Sequence, residues 1–163
     1  MVKILKKGTA DFDRMMAFAE TCSWEPGRNL AKRMKEGEES DGTNGIPKGA
    51  IAKRASDWEI LIGDFGEDGA PRGFGVLSST DFPKVDYLPW VGVVFVGEDF
   101  RGNRISEKLI DVMEQKAKEL GYDIIYLVTD HVNLYEKYGY EKFDTCACPW
   151  DEKQVESLYR KAL

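Results

Sequence analysis

Hydrophobic and polar positions in the N-terminal part of the chain change period, from that of a strand to that of a helix. Residues 2–6 alternate and end at Gly8, which predicts a short first strand. A helical stripe follows, and Thr9 or Asp11 is placed to cap its start. The stripe consists of Phe12, Met15, Met16, Ala19 and Cys22. Turn formers at residues 24–27 are expected to break this helix, and a shorter helix over residues 29–36 is predicted to end at Gly37.

The middle of the chain changes from a polar segment to β-strand patterns. Residues 38–57 are rich in Gly, Ser, Asp and Lys, which predicts a long surface loop that either covers a substrate site or serves only as a connection. Residues 58–65 and 73–80 flank a dense group of turn formers and predict a hairpin. Residues 90–96 form a nearly continuous apolar run, which is typical of a strand buried on both faces.

The clearest helical pattern lies in the C-terminal half. Its apolar positions are Ile105, Leu109, Met113, Ala117 and Leu120. Asn103 is expected to cap the helix and Gly121 to end it, and residues 124–129 predict the next buried strand. A strand, a helix and a second strand of these lengths predict a right-handed parallel crossover. Residues 132–138 then suggest a short helix closed by Gly139, residues 140–148 a strand, and residues 152–163 either a helix or a closing strand.

Size and composition predict one globular domain that spans residues 1–163. An apolar fraction of 42% and a charged fraction of 32% are typical of a soluble protein, and no apolar run is long enough to cross a bilayer. The net charge of −6 disfavours nucleic acid as a partner; it suits a cationic substrate, or it simply keeps a small protein soluble. The N-terminal residues lack the pattern of a leader peptide, so we expect a cytoplasmic protein with no membrane partner.

Cysteine and histidine content argues against a metal site. The three cysteines form no Cys-x-x-Cys pair, and His131 is the single histidine. Cys146 and Cys148 lie in a predicted strand, and no second histidine is available to activate their thiols. We therefore expect neither cysteine to act as a nucleophile.

The segment between the buried strand and the long helix has the features of an anion site. A strand that turns through a glycine-containing loop into a helix directs unpaired backbone N–H groups and the positive end of the helix dipole to one point. Arg101 and Arg104 add positive charge there, which suits a pyrophosphate. Taken alone, the same residues also fit an ordinary turn with two solvated arginines.

Two motifs together resemble a known family. R-G-x-x-x-S at residues 101–106 and L-Y-E-K-x-G-Y at residues 134–140 resemble the GNAT superfamily of acetyl-CoA-dependent N-acetyltransferases. The predicted order of strands and helices resembles this family over nearly the whole chain. The resemblance implies an α/β (α+β) fold with a mixed, mostly antiparallel central sheet, a splayed parallel pair of strands and about four flanking helices. It also implies acetyl-CoA as co-substrate, with no metal. The oligomeric state is left open between a monomer and a homodimer.

The resemblance carries a set of cofactor contacts onto this chain. Backbone groups of the loop would hold the pyrophosphate of coenzyme A, and backbone groups of the preceding strand would hold its pantetheine. Arg104 and Ser106 stand where the family usually has small residues; we expect Arg104 to lie in the first helical turn without a positive φ and to add a charge toward phosphate. The expected cofactor-binding residues are Val94, Phe95, Val96, Arg101, Gly102, Asn103, Arg104, Ile105, Ser106 and Tyr135.

Tyr135 occupies the family's position for the proton donor to the departing thiolate. A tyrosine hydroxyl can act as this general acid, and we favour this role for Tyr135 over that of an aromatic core residue, which is the role we expect for Tyr138 and Tyr140. The sequence leaves the general base open among Asp130, His131, Asp81 and Asp86, with the first two named as candidates because they follow a central strand. The expected substrate-binding residues are Trp24, Glu25, Asp81 and Asp130.

Three functions remain open at this point. The first is acetylation of a primary amine on a small cationic molecule. The second is acetylation of a protein N-terminus or lysine. The third is a non-catalytic domain that senses coenzyme A, because a fold alone does not prove an activity.

Overall fold

The computed structural model of the protein describes residues 1–37, 46–47 and 57–163. The α-helices in these ranges are α1 (Ala10–Glu20), α2 (Glu25–Glu36) and α3 (Ile105–Glu119). The strands are β1 (Val2–Ile4), β2 (Ile46–Pro47), β3 (Trp58–Phe65), β4 (Pro71–Ser78), β5 (Trp90–Val96), β6 (Ile124–Thr129), β7 (Glu141–Cys148) and β8 (Asp151–Ala162). Short 3-10 helices span Glu98–Phe100 and Tyr135–Tyr138. The loop predicted over residues 38–57 lies outside the described residues, apart from β2 and Asp57.

The strands form one mixed sheet in the order β1-β3-β4-β5-β6-β8-β7, with β2 paired to β3. β5 and β6 are the parallel pair, and the other pairs are antiparallel. The sequence-based fold class is therefore confirmed, including the connection of β5 through α3 to β6. Within the described ranges, no helix combines the length and apolar character needed to span a membrane.

Helices cover both faces of the sheet. The predicted apolar stripe of α1 is buried together with Leu30 and Met34 of α2 against one face. The stripe of α3 is buried against the opposite face. Alternate residues of β3 point to the two sides, with Leu61 in the first core and Ile60 and Ile62 in the second. This double coverage explains why β3 is buried along its whole length.

Helix α2 begins earlier than the sequence indicated. Residues 25–27 were expected to form the break between two helices, but they form the first turn of α2. Pro26 fits there because the first N–H groups of a helix have no intrahelical partner. Gly27 is buried, and a Cβ at this position would lie 2.7 Å from the Cys22 Sγ and 2.9 Å from the Phe74 ring. This glycine therefore allows close packing and does not end a helix.

The C-terminal region contains more strand and less helix than predicted. β8 resolves the ambiguity over residues 152–163 in favour of a strand between β6 and β7. The helix predicted over residues 132–138 is wrong, because the regular part is only the 3-10 helix Tyr135–Tyr138. Asn133 has a left-handed φ of 62°, which an α-helix cannot contain. Gly139 closes the segment as predicted, with φ of 87°.

Candidate active site

A cleft opens where β5 and β6 diverge. In the described sheet the two strands share one paired position, Trp90 with Tyr126, next to a 3.0 Å hydrogen bond from the Tyr126 N–H to the Pro89 carbonyl. Beyond it lies a cleft of about 1690 Å³ that is lined by residues 91–96 of β5 and by residues 127–131 at the end of β6. The splayed strands of the sequence-based prediction are thus present, and the space between them exceeds that of an ordinary small-ligand pocket.

β5 bends into the cleft through a β-bulge. Phe74 pairs with Phe95 and Val76 with Gly92, so Gly75 alone faces both Val93 and Val94. Val93 has a φ of 49°, which is unusual for a β-branched residue. A Cβ at Gly75 would lie 2.5 Å from the Met113 Cε of α3 and 3.3 Å from the Val94 Cγ2 of the bulge, so this glycine allows close packing on both sides of β4. Backbone strain of this kind is concentrated at ligand sites.

The loop before α3 contains two left-handed residues. Gly102 has a φ of 82° and open space around the position of a Cβ. Arg104 has a φ of 56° and precedes α3 as its N-cap residue, so the expectation of a helical Arg104 without positive φ is wrong. Asn103 does not cap the helix either, because its amide donates to the carbonyls of Phe100 at 3.0 Å and Arg101 at 3.4 Å. The loop is therefore stabilised by its own polar groups, which leaves the first N–H groups of α3 for another acceptor.

The side chains of this loop have different surroundings. Arg104 forms a two-pronged ion pair with Glu107, including a 2.7 Å bond from Nη2 to Oε1, so its charge is directed along the helix. This pairing raises the pKa of Arg104 and lowers that of Glu107. Arg101 is 60% exposed, and its Nη2 forms a long ion pair with the Glu98 Oε1 at 4.0 Å. All predicted loop residues line the cleft except Asn103.

Tyr135 lies at the edge of the cleft in a cluster of four tyrosines. The hydroxyls of the other three have protein partners: Tyr138 contacts the Ser106 Oγ at 3.0 Å, Tyr140 donates to Glu114 at 3.0 Å and Tyr159 donates to Glu136 at 2.6 Å. No residue in the described ranges forms a hydrogen bond with the Tyr135 hydroxyl. Burial, with smaller effects of Tyr138 and Asp130, raises the pKa of Tyr135 to about 12. The phenol therefore stays protonated and can donate a hydrogen bond to a ligand.

The predicted acid–base candidates occupy different positions. Asp130 and His131 follow β6, are exposed and line the cleft, and the His131 N–H donates to the Thr129 Oγ1 at 3.0 Å. Asp81 also lines the cleft; its Oδ2 lies 3.5 Å from the point where a Cβ of Gly92 would be, directly beside the bulge. Asp86 is exposed and does not line the cleft.

The predicted substrate wall lies along the same cleft. Trp24 is 39% exposed and stacks on Phe95 with 6.5 Å between ring centroids. Glu25 follows it in the first turn of α2, and both residues line the cleft with Asp81 and Asp130. The structure thus brings the residues proposed for the substrate into one space.

Several residues of the cleft were not found from the sequence. Arg33 donates through Nε and Nη2 to the two oxygens of Glu59, each at 2.7 Å, and Glu59 is only 2% exposed. Glu156 of β8 is 7% exposed and also lines the cleft. Glu156 lies two residues before the buried Leu158, and on a strand residues with this spacing share one face. This spacing would have marked Glu156 as a buried acid, but only if residues 152–163 had been assigned to a strand. Nothing in the sequence pattern marks Arg33.

The described part of the chain offers no metal site. No group of three or more His, Cys, Asp or Glu side chains there is arranged to hold a metal ion. Cys146 and Cys148 lie on β7, as predicted. Burial and, secondly, a hydrogen bond to Glu156 raise the pKa of the Cys148 thiol to about 11, which disfavours the reactive thiolate.

Comparison with known sequences identifies one family. The model of the acetyltransferase (GNAT) family matches residues 24–140, which is more than half of the chain. The matched region includes β5, the loop before α3, α3 itself, β6 and Tyr135. A search of curated proteins found no match.

Solved acetyltransferase structures share the fold. The aminoglycoside 6'-N-acetyltransferase from Enterococcus faecium is 14% identical, with a TM-score of 0.68 over 99% of this chain and 96% of that chain. An aminoglycoside 6'-N-acetyltransferase complexed with coenzyme A is 12% identical, with a TM-score of 0.67 over 99% and 96%. Nourseothricin acetyltransferase is 18% identical, with a TM-score of 0.51 over 65% of each chain. Identities this low establish a common fold.

Proposed function

Because the chain belongs to the acetyltransferase (GNAT) family, we propose that it transfers an acetyl group to a primary amine of a small cationic molecule. Its co-substrate is acetyl-coenzyme A, which supplies an acetyl group activated as a thioester. The proposal extends to the partner, a small molecule and not a protein. The shape and charge of the cleft support a primary amine on a small cationic molecule as the acceptor.

The chain's own residues suit the phosphate end of coenzyme A. Gly102 combines a left-handed φ with open space, so a phosphate can approach the bare backbone. The start of α3 adds N–H groups and the positive end of its dipole. Arg101 has a 4.0 Å contact with Glu98 and a long 3.4 Å hydrogen bond from its Nε to the Val96 carbonyl, and it is the side chain best placed to add charge. The backbone of residues 94–96 would hold the pantetheine along β5.

The proposed reaction is a direct transfer with no covalent enzyme intermediate. A base first removes a proton from the acceptor ammonium, because an ammonium has no lone pair. The amine nitrogen then forms a bond to the acetyl carbon, the carbon–sulfur bond breaks, and its electron pair leaves on sulfur. Tyr135 donates its hydroxyl proton to that sulfur and is reprotonated from solvent. Asp130 and His131 are the proposed bases, and Asp81 beside the bulge is the alternative.

The observation that carries the proposal is the Tyr135 hydroxyl, which has no hydrogen-bond partner among the described residues and lines a cleft with regions of opposite charge. On one side are the start of α3 and Arg101. Besides Glu59, which is paired with Arg33, the carboxylates that line the rest of the cleft belong to Glu25, Asp81, Asp130 and Glu156. An anionic donor and a cationic acceptor can therefore meet at Tyr135, each held by groups of opposite charge.

The test measures acetyl-CoA consumption with polyamines, aminoglycosides and lysine-containing peptides, together with coenzyme A binding by calorimetry. We expect binding of coenzyme A and turnover with the small polycations, and little turnover with peptides. Turnover confined to peptides would favour the protein-directed alternative. Binding without turnover for any amine would favour the non-catalytic alternative, and an absence of coenzyme A binding would refute the proposal as a whole.

A further inference from the structure

Glu156 is a buried carboxylate whose two oxygens have different surroundings. Its Oε1 accepts both of its hydrogen bonds, from the Gln154 Nε2 at 2.7 Å and from the Cys148 Sγ at 3.3 Å. No hydrogen bond reaches its Oε2 from any residue of the described ranges. Because Glu156 is 7% exposed and lines the cleft, what remains exposed of this side chain is directed toward ligand space.

Glu156 also lacks a cationic partner among the described residues. Within residues 1–37 and 57–163 no Lys, Arg or His forms an ion pair with Glu156, whereas Glu59, which is also buried, is paired with Arg33. An isolated carboxylate in a buried position is costly unless a counter-charge or further hydrogen bonds compensate it. A ligand with an N–H-bearing cation would supply both.

The cleft that Glu156 lines also offers aromatic rings to a cation. Phe82 and Trp150 form an edge-to-face pair with 4.9 Å between centroids, and both rings line the same cleft. Aromatic faces attract ammonium groups. Asp81 lines the cleft as well, so a second carboxylate faces the same space.

Glu156 is displaced along β8 from the proposed proton donor. The β8 residue whose ring contacts Tyr135 is Tyr159, and Glu156 lies three residues away, about 10 Å along the strand, where it pairs with Cys146 of β7. This place on β8, inside the cleft and away from Tyr135, fits a residue that holds the acceptor, and not one that exchanges protons at the reacting sulfur. Resting on the proposed function, we propose that Glu156 binds an ammonium of the acceptor other than the amine that is acetylated, so that preferred acceptors carry at least two amines.

The experiment compares the wild type with Glu156→Gln, which keeps the shape and the acceptor oxygen but removes the charge. The probes are spermidine and kanamycin A, which carry several ammonium groups, and pentylamine, which carries one. We expect the KM or dissociation constant of the polycations to rise about ten- to a hundredfold, the range for a hydrogen bond to a charged group. We expect kcat with the polycations, the constants for pentylamine and the affinity for coenzyme A to stay unchanged.

Asp144→Asn is the matched control. It removes the same charge from an exposed carboxylate on β7 outside the cleft, and its Oδ1 can still accept from the Thr145 N–H. An equal effect of both variants would reduce the result to general electrostatics and overturn the inference. So would a loss of kcat at constant KM in Glu156→Gln, or a wild type that binds coenzyme A but neither polycation. A wild type that binds the polycations through Glu156 but not coenzyme A would instead refute the proposed acetyl transfer alone.

Discussion

Replacing Tyr135 by Phe tests the centre of the proposed chemistry. The variant removes one hydroxyl that has no hydrogen-bond partner in the described part of the protein, so no buried group loses a partner. We therefore expect the free energy of unfolding near neutral pH to change by no more than about 0.5 kcal/mol. Any large loss of activity would then reflect the reaction and not the fold.

The size of the expected effect follows from the raised pKa. A pKa of about 12 for Tyr135 lies roughly 3.5 units above that of an ordinary thiol, so proton transfer to a fully solvated thiolate would be uphill by about 5 kcal/mol. Burial of the sulfur narrows this gap, because burial also raises the pKa of a thiol. A donor so weakly acidic falls at the low end of general acid catalysis, and we expect a decrease in kcat of about a hundredfold.

The assay follows release of free coenzyme A thiol under saturating donor and acceptor. Coenzyme A binding is measured by calorimetry and should be unchanged within about twofold, since the hydroxyl acts in the transition state. Tyr122→Phe is the control, because Tyr122 is partly buried away from the cleft. If Tyr135→Phe keeps the kcat of the wild type from about pH 6 to 9, Tyr135 is not the general acid and the cluster is aromatic core.

Three further outcomes follow from the described geometry. Gly102→Ala forces a side chain into a left-handed backbone position, and we expect it to weaken coenzyme A binding, measured by calorimetry, about 5- to 30-fold. Gly121 also has a left-handed φ but lies at the other end of α3, so Gly121→Ala should leave this binding unchanged. Gly73→Ala would bring a Cβ within 2.8 Å of the Phe95 carbonyl oxygen and should lower the free energy of unfolding in urea by about 1–3 kcal/mol. Because the folded state raises the pKa of Tyr135 to about 12, ionisation from pH 10 to 12 favours the unfolded chain, so Tyr135→Phe should become more stable than the wild type over that range in alkaline melts.

The elements around the cleft were predictable where pattern and turn chemistry agreed. The apolar run of β5 and the apolar stripe of α3 each match the observed element closely. Both elements were predicted from patterns formed by residues that are near one another in sequence. Tyr135 was located through its motif, and the structure adds that its hydroxyl is the unpartnered one of its cluster within the described residues. Its catalytic role stays a prediction.

The misses have a common physical cause, which is that the deciding contact lies far away in sequence. The sequence pattern predicts Gly27 to be a helix breaker, whereas in the structure this glycine packs against the Phe74 ring. Arg104 reads as a helical residue, yet the loop holds it at a φ of 56°. The bulge at Val93 and Val94 lies opposite Gly75 of the neighbouring strand, a pairing that is distant in sequence. Residue patterns do not report such pairings.

The sparse pairing of β5 with β6 has a consequence for cooperative unfolding. One paired position joins the half-sheet β1-β3-β4-β5 to the half-sheet β6-β8-β7. A ligand that lies along β5 with strand-like hydrogen bonds would act as an inserted strand between the halves. Any opening that parts them must then first release the ligand, so amide hydrogens on both sides should gain protection together when it binds. The bound acetyl donor would therefore stabilise the folded sheet as well as serve as a reactant.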